Sequence, residues 1–244
     1  MATAGLVVEG LSKRYGQRLA LDALSFHALP GEVLAVLGPN GAGKSTAFLS
    51  LNGLLRPDHG RIVLDGQVLE HNRGQVIALI PETPDVIPML TVWEHLIYAA
   101  KLSRLPLGWE KRGRELLERL GLGPERDTLG NALSKGLRQK TLIATTVLID
   151  APVLMLDEPM IGLDPQAQRE LRELLVELKA RERVLLMSTH MLSIAELLCD
   201  RALILRAGQT LAQGTITELR EQHARSLEEL FLEITDPDCV APSP

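Results

Sequence analysis

The segment Gly38-Pro39-Asn40-Gly41-Ala42-Gly43-Lys44-Ser45 matches GxxxxGK[ST], a pattern in which each part suits a phosphate group. Glycines let successive backbone N–H groups turn inward around phosphate oxygens, and the first turn of a following helix adds partial positive charge. Lys44 contributes a full charge, and the Ser45 hydroxyl can ligate Mg²⁺. A second element, Val153-Leu154-Met155-Leu156-Asp157-Glu158, is an apolar run that delivers two carboxylates at its end. Asp157 is placed to hold the shell of a Mg²⁺ ion, and Glu158, one residue further on, to polarise an attacking water as general base. Taken singly, the first motif could be an ordinary glycine-rich turn and the second the start of a solvated loop. Together they suit phosphoryl transfer, which needs metal and water positioned against the same phosphate.

These residues need strands and helices to aim them, and the chain supplies both. Leu6–Leu11, Ala20–His27 and Val33–Leu37 read as strands, the last running into the glycine-rich turn, and a helix is expected over about Lys44–Leu54. Arg61–Leu64 and Val76–Ile80 read as further strands, followed by a passage through Pro81, Pro84 and Pro88 that cannot be helical throughout and resembles a hinge. Thr91 and Glu94 form a capping box for a helix with Val92, Leu96, Ala99 and Ala100 on one face. Trp109, Leu116, Leu117 and Leu120 mark a second helix, and Leu137–Ile149 a third, so residues 85–149 read as a helical insertion. Strand and helix then alternate: Val153–Leu156, a helix opened by Asp164-Pro165 and carrying Leu171, Leu174, Leu175 and Leu178, then Val184–Ser188. That alternation predicts a parallel α/β sheet. Arg201–Leu205 and Thr210–Gln213 read as closing strands. Ser226 and Glu229 cap a last helix bearing Leu227, Leu230, Phe231 and Ile234, and 236–244 are expected to be disordered.

Composition removes several classes of function. The 244 residues suffice for one large domain with an insertion, and no internal repeat is visible. A net charge of -5 with no basic block leaves no electrostatic footprint for nucleic acid, so no nucleic-acid partner is expected. Cys199 and Cys239 show no metal-ligand spacing and suit a reducing cytosol. No leader is apparent, and no stretch approaches the roughly 20 apolar residues that span a bilayer, so any membrane role must come through a protein partner.

With both motifs in hand, residues 5 to 220 resemble the ABC (ATP-binding cassette) ATPases. The discriminating segment is Leu133-Ser134-Lys135-Gly136-Leu137-Arg138-Gln139-Lys140, similar to the family signature LSGGQ followed by basic residues; alone, it would be a simple helix cap. The resemblance implies that Ser134, Lys135 and Gly136 cap the γ-phosphate of ATP bound by a second subunit. It also implies that Tyr15 stacks on adenine, that Thr46 extends the phosphate loop, that His190 contacts the γ-phosphate and that Asp164 lies in a dimer-contacting loop. The other histidines are expected to be structural. The fold implied is α/β, a P-loop NTPase (RecA-like) with a mainly parallel sheet, an N-terminal antiparallel β part and an inserted α-helical subdomain. Its expected boundaries make residues 1–235 a single ATPase domain, with 1–84 and 150–222 as the ATP-binding core, 85–149 as the helical subdomain and 223–235 as the C-terminal helix.

The departures from the family pattern are specific. Glu82 stands where most members have a glutamine that links the nucleotide site to the transmembrane partner, and it is expected to approach Mg²⁺ or the attacking water. Lys135 and Leu137 replace a glycine and the glutamine of the signature, and Met160 and Ile161 stand where threonine and serine are commoner. A proline-glutamate turn, an LSKG-type signature and an ending like Ser226-Leu227-Glu228-Glu229-Leu230-Phe231-Leu232 resemble the bacterial exporter branch. What this implies is an ATP- and Mg²⁺-dependent ATPase, cytoplasmic and peripheral on the inner face of the membrane. It would pair with an identical or different ATPase subunit and with integral membrane permease subunits. A soluble ABC ATPase acting on nucleic acid, ribosomes or cofactor assembly is the alternative, and an ATP-holding module without turnover a third reading.

Overall fold

The computed structural model describes residues 5–223 and 226–235, so the expectation for 236–244 lies outside the described residues. The chain opens with a long hairpin, β1 (Leu6–Tyr15) and β2 (Arg18–Ala28), closed by the two-residue turn Gly16-Gln17 with Tyr15 opposite Arg18. Both strands run further than Leu6–Leu11 and Ala20–His27, because the polar stretch around Lys13–Arg18 carries no alternation to reveal it. With β4 (His59–Leu64) and β5 (Gln67–Val68) they form an antiparallel sheet in the order β2-β1-β4-β5.

A second sheet has the order β10-β9-β3-β8-β7-β6, built from β3 (Val33–Leu37), β6 (Ile77–Ile80), β7 (Val153–Asp157), β8 (Val184–Ser188), β9 (Arg201–Arg206) and β10 (Gln209–Thr215). Every pairing in it is parallel except β10 with β9 at the edge. All residues of β3, β7 and β8 are buried, which is why they read as unbroken apolar runs: a sheet covered on both faces gives no polar positions. Alternate residues serve two cores. Ala35, Leu156 and Met187 face the core shared with most of the helices, whereas Val36, Met155 and Leu186 face the core shared with the antiparallel sheet and the first helix.

That first helix, α1 (Lys44–Asn52), is shorter than expected and stops at Gly53, whose φ of 94° is a left-handed terminus that glycine adopts at little cost. In chain order α2 (Val92–Leu102), α3 (Trp109–Arg119) and α4 (Lys135–Ile149) come between β6 and β7. The Thr91/Glu94 capping box opens α2: Glu94 N donates to Thr91 Oγ1 at 3.2 Å, and Thr91 N donates to Glu94 Oε2 at 2.8 Å. Buried His95 ties the proline-rich passage to this helix, accepting from Ile87 N at Nε2 and meeting Thr91 O at 2.7 Å through Nδ1. At the far end of α4, Asp150 draws three arginines together, at 3.1 Å from Arg183, 3.4 Å from Arg112 of α3 and 3.9 Å from Arg181. Burial alone would raise the Asp150 pKa, but Arg183 and Arg112 outweigh it and hold the carboxyl below the usual range.

After α5 (Pro165–Ala180) come two helices the sequence reading does not contain, α6 (Leu192–Leu198) and α7 (Ile216–His223), and then the expected last helix, α8 (Leu227–Thr235). Seven and eight residues are too few for a 3.6-residue period to stand out. A start signal was nevertheless present for α7: Thr215 and Glu218 form a capping box there, with bonds of 2.8 and 3.1 Å.

Candidate functional site

β3 delivers the chain to the glycine-rich turn, and two backbones crowd that turn from outside. Gly43, at φ 109°, begins α1, and a Cβ there would lie 2.6 Å from Ala20 O of β2. On the other side Gly208 N donates to Ala42 O at 2.9 Å. No side chain caps α1, so its first N–H groups are left for an anion. Lys44 is nearly buried, and its Nζ donates to Gly38 O at 2.6 Å and Pro39 O at 3.3 Å. Those two carbonyls hold the ammonium at the root of the turn, while Ser45 is exposed.

The carboxylates come from β7, and β8 orients them. Asp157 is the register partner of Ser188, whose hydroxyl donates to Asp157 Oδ1. Glu158 N donates to both Ser188 Oγ, at 3.1 Å, and Ser188 O, at 3.2 Å. These bonds hold Glu158 at φ 49°, a left-handed conformation that costs a non-glycine residue free energy and clusters at functional sites. The Glu158 side chain is 9% exposed and turns its Oε1 to His190 Nδ1 at 2.9 Å. A carboxylate only accepts, so Nδ1 carries the proton, on a side chain that is 59% exposed.

Lys44, Ser45, Asp157, Glu158 and His190 line one cleft of about 840 Å³. The phosphate-loop residues Asn40, Gly41, Ala42, Gly43, Lys44, Ser45 and Thr46 form one wall, with Tyr15 beside them and half exposed. Asp157, Glu158, His190 and Glu82 form the other. Gly38 and Pro39 lie below, joined to it through Lys44. Arg18 and Ala20 also line the cleft and escaped the sequence reading, and Ile161, which the sequence marked only as a departure from the family pattern, lies along it. Arg18 had a signal, since the Gly16 turn sets it opposite Tyr15 across the hairpin; its Nη2 donates to Gly41 O at 3.4 Å.

The remaining candidates lie apart from this cleft. Ser134 caps α4, its Oγ accepting from Leu137 N at 3.3 Å, and both Ser134 and Lys135 are exposed. Asp164 caps α5 through Oδ1, which accepts from Ala167 N at 2.8 Å, and its Oδ2 meets Lys140 Nζ of α4 at 2.7 Å. Lys140 first, then the Ala167 amide, hold the Asp164 carboxyl below the usual range. The two helix starts touch, since a Cβ on Gly136 would come within 3.0 Å of Gly162 O. Ser134, Lys135, Gly136 and Asp164 therefore make a second face.

The donor set fits Mg²⁺. Among the described residues no group of three or more His, Cys, Asp or Glu is gathered as a metal cage. Mg²⁺ needs none, because it binds through one or two protein ligands and completes its shell with phosphate oxygens and water. Asp157 keeps one oxygen without a protein partner, and the Ser45 hydroxyl lines the same cleft.

The ABC transporter family matches residues 21–161. The chain is 37% identical over 243 residues to the ABC-type transporter ATP-binding protein EcsA of Bacillus subtilis, covering 96% of this chain and 97% of that one. It is 37% identical over 222 residues to the Nod factor export ATP-binding protein I of Ralstonia nicotianae, covering 89% and 69%. A solved ATP-binding subunit of an ABC transporter superposes with a TM-score of 0.90 at 37% identity, covering 96% of this chain and all of that one.

Proposed function

The chain belongs to the ABC transporter family, and from that premise we propose that it is the ATP-binding and ATP-hydrolysing subunit of an exporter whose membrane-spanning parts are separate chains. The observation that carries this reading is the meeting, in one cleft, of an uncapped helix start, Lys44, Asp157 and the Glu158–His190 pair.

Each residue has a chemical task. The amides of the Gly41–Thr46 stretch and the Lys44 ammonium bind the β- and γ-phosphates, and Tyr15 offers a ring face to the base. Ser45 and Asp157, with Glu82 in the same cleft, would hold Mg²⁺, which would neutralise phosphate charge. Glu158 takes the proton of a water whose oxygen attacks the γ-phosphorus as the bond to the β-phosphate oxygen breaks. His190 is bonded to Glu158 through Nδ1, and only with both ring nitrogens protonated would its Nε2 donate to the γ-phosphate.

The second face completes the site in trans. Ser134 accepts its capping bond and keeps its own O–H to donate, so Ser134, Lys135 and Gly136 of one subunit would close over ATP held by the other, with the Asp164 loop at the seam. The second subunit is a copy of this chain or a relative. Residues 85–149 form the moving unit, Glu82 reports the state of the nucleotide to the permease, and residues 1–84 with 150–222 form the core that holds ATP. In this reading the chain is peripheral on the cytoplasmic face. Among the described residues no helix is long and apolar enough to cross a membrane. The exporter direction is supported by the relative named for Nod factor export. The test is purification from detergent-solubilised membranes of the native host. The proposal expects a hydrophobic multi-span companion and Mg²⁺-dependent ATP turnover in the eluate; a soluble partner alone, or no turnover, overturns it.

A further inference from the structure

The chain Glu158 N–H to Ser188 Oγ, and Ser188 O–H to Asp157 Oδ1, places one hydroxyl between the two carboxylate-bearing residues of the cleft. We propose that Ser188 is a positioning residue for the metal: it turns Asp157 toward Mg²⁺ and at the same time holds the Glu158 backbone in the conformation that aims the base. This rests on the reading of Asp157 as the metal-binding carboxylate.

Three observations carry it. Ser188 is fully buried, so its hydroxyl has no water to compete for it. A hydroxyl has a single proton, and because Ser188 Oγ accepts from Glu158 N, that proton is left with one direction to go, toward Asp157. Asp157 Oδ1 is thereby occupied, and Oδ2 is the oxygen left to face the ion. Finally, β8 and the residues after it treat the two carboxylates in step. Ser188 bonds Asp157, and two residues later His190 bonds Glu158, following the parallel register in which Asp157 pairs with Ser188. The same Ser188 also accepts Glu158 N at its carbonyl, so Glu158 reaches φ 49° against one partner residue. A residue carrying a hydroxyl is required here; its size alone does not do this.

The experiment compares Ser188→Ala, Ser188→Thr, Ser188→Cys and Asp157→Asn in the full chain. Binding of a fluorescent ATP analogue is titrated in EDTA and again against Mg²⁺, and binding of Mn²⁺ to the nucleotide complex is followed by its EPR signal. Nucleotide affinity in EDTA should stay within about 2-fold of the starting protein for Ser188→Ala, while the Mg²⁺ and Mn²⁺ midpoints rise ~10-fold or more, the usual scale for an outer-shell partner. Ser188→Thr should restore the midpoints, and Ser188→Cys should not. If Ser188→Ala does not fold, the contrast between the Thr and Cys variants decides. The inference is overturned if Ser188→Ala leaves both metal midpoints unchanged while Asp157→Asn shifts them, or if Thr fails to rescue. If Asp157→Asn leaves them unchanged as well, the metal reading of Asp157 falls and takes this inference with it.

Discussion

Helix α1 and the helices α4 and α5 all begin against loops, yet their first turns are treated in opposite ways. At α1 no side chain caps the helix, glycine occupies the entry at φ 109°, and the amides face the cleft. At α4 and α5, Ser134 and Asp164 cap the first turn themselves, and Lys140 bridges the two helices. Uncapped donors are costly to leave without a partner, so the α1 start is built to take an anion from within its own subunit. The capped starts are satisfied without a ligand, and what they offer outward is side-chain groups on an exposed surface. On the proposed function, one site binds alone and the other acts on what a partner brings.

The comparison breaks first at the cleft. Glu158→Gln removes the base and keeps the shape, so turnover should fall by ~100-fold or more while Mg-ATP still binds. ATP should then hold two subunits together, and gel filtration with ATP that shows only monomer would contradict the action of the α4 face in trans. Next, Lys44→Ala takes a charge-assisted bond from the phosphates, and nucleotide affinity should drop by about 10- to 100-fold, read by fluorescence titration with circular dichroism confirming the fold. At the other face, Ser134→Arg should leave binding to the isolated subunit untouched and lower hydrolysis by ~10-fold or more, because on the proposed function the donor it removes serves the neighbour. Loss of binding in that variant would merge the two regions into one.

The smallest effect concerns the bridge between α4 and α5. Lys140→Met should lower stability by about 0.2–1 kcal/mol in urea melts, since the Asp164 side chain is 52% exposed and solvent screens the pair. The pH dependence has a definite sign. Asp164 sits below its ordinary value in the folded chain, so its contribution is full above the unfolded value of about 4 and is lost as pH falls through the folded one. Lys140→Met should flatten that acid limb, and an unchanged limb would show that the two helix starts are held by packing instead.

What the sequence made legible was chemistry carried by neighbours in the chain: the phosphate loop with Lys44, the Asp157-Glu158 pair at a strand end, the Thr91 and Ser226 caps. Each is written within eight residues and needs no tertiary contact to be recognised. Ser188 was hidden because its role depends on β7 and β8 pairing across 31 residues, and nothing local marks a serine that faces a carboxylate. The left-handed Glu158 was hidden for the same reason, its conformation being imposed by Ser188 and not by its own preference. Glu82 and His190 reach the cleft from separate segments, and only the resemblance to a family pointed to them.

The grip of Lys44 on Gly38 O and Pro39 O also positions the ammonium ahead of any anion. The ammonium has three donors, and Gly38 O and Pro39 O take two of them, at 2.6 and 3.3 Å, which leaves one N–H for an incoming anion. Inorganic phosphate or sulfate can take that one donor and gains little from the rest of the loop. A di- or triphosphate takes the same donor and spreads its other oxygens over several amides at once. The loop's own carbonyls thus act as a tether that fixes the lysine in place before any ligand arrives, with one donor and its full charge put to full use only when a polyphosphate tail fills the amides beside it.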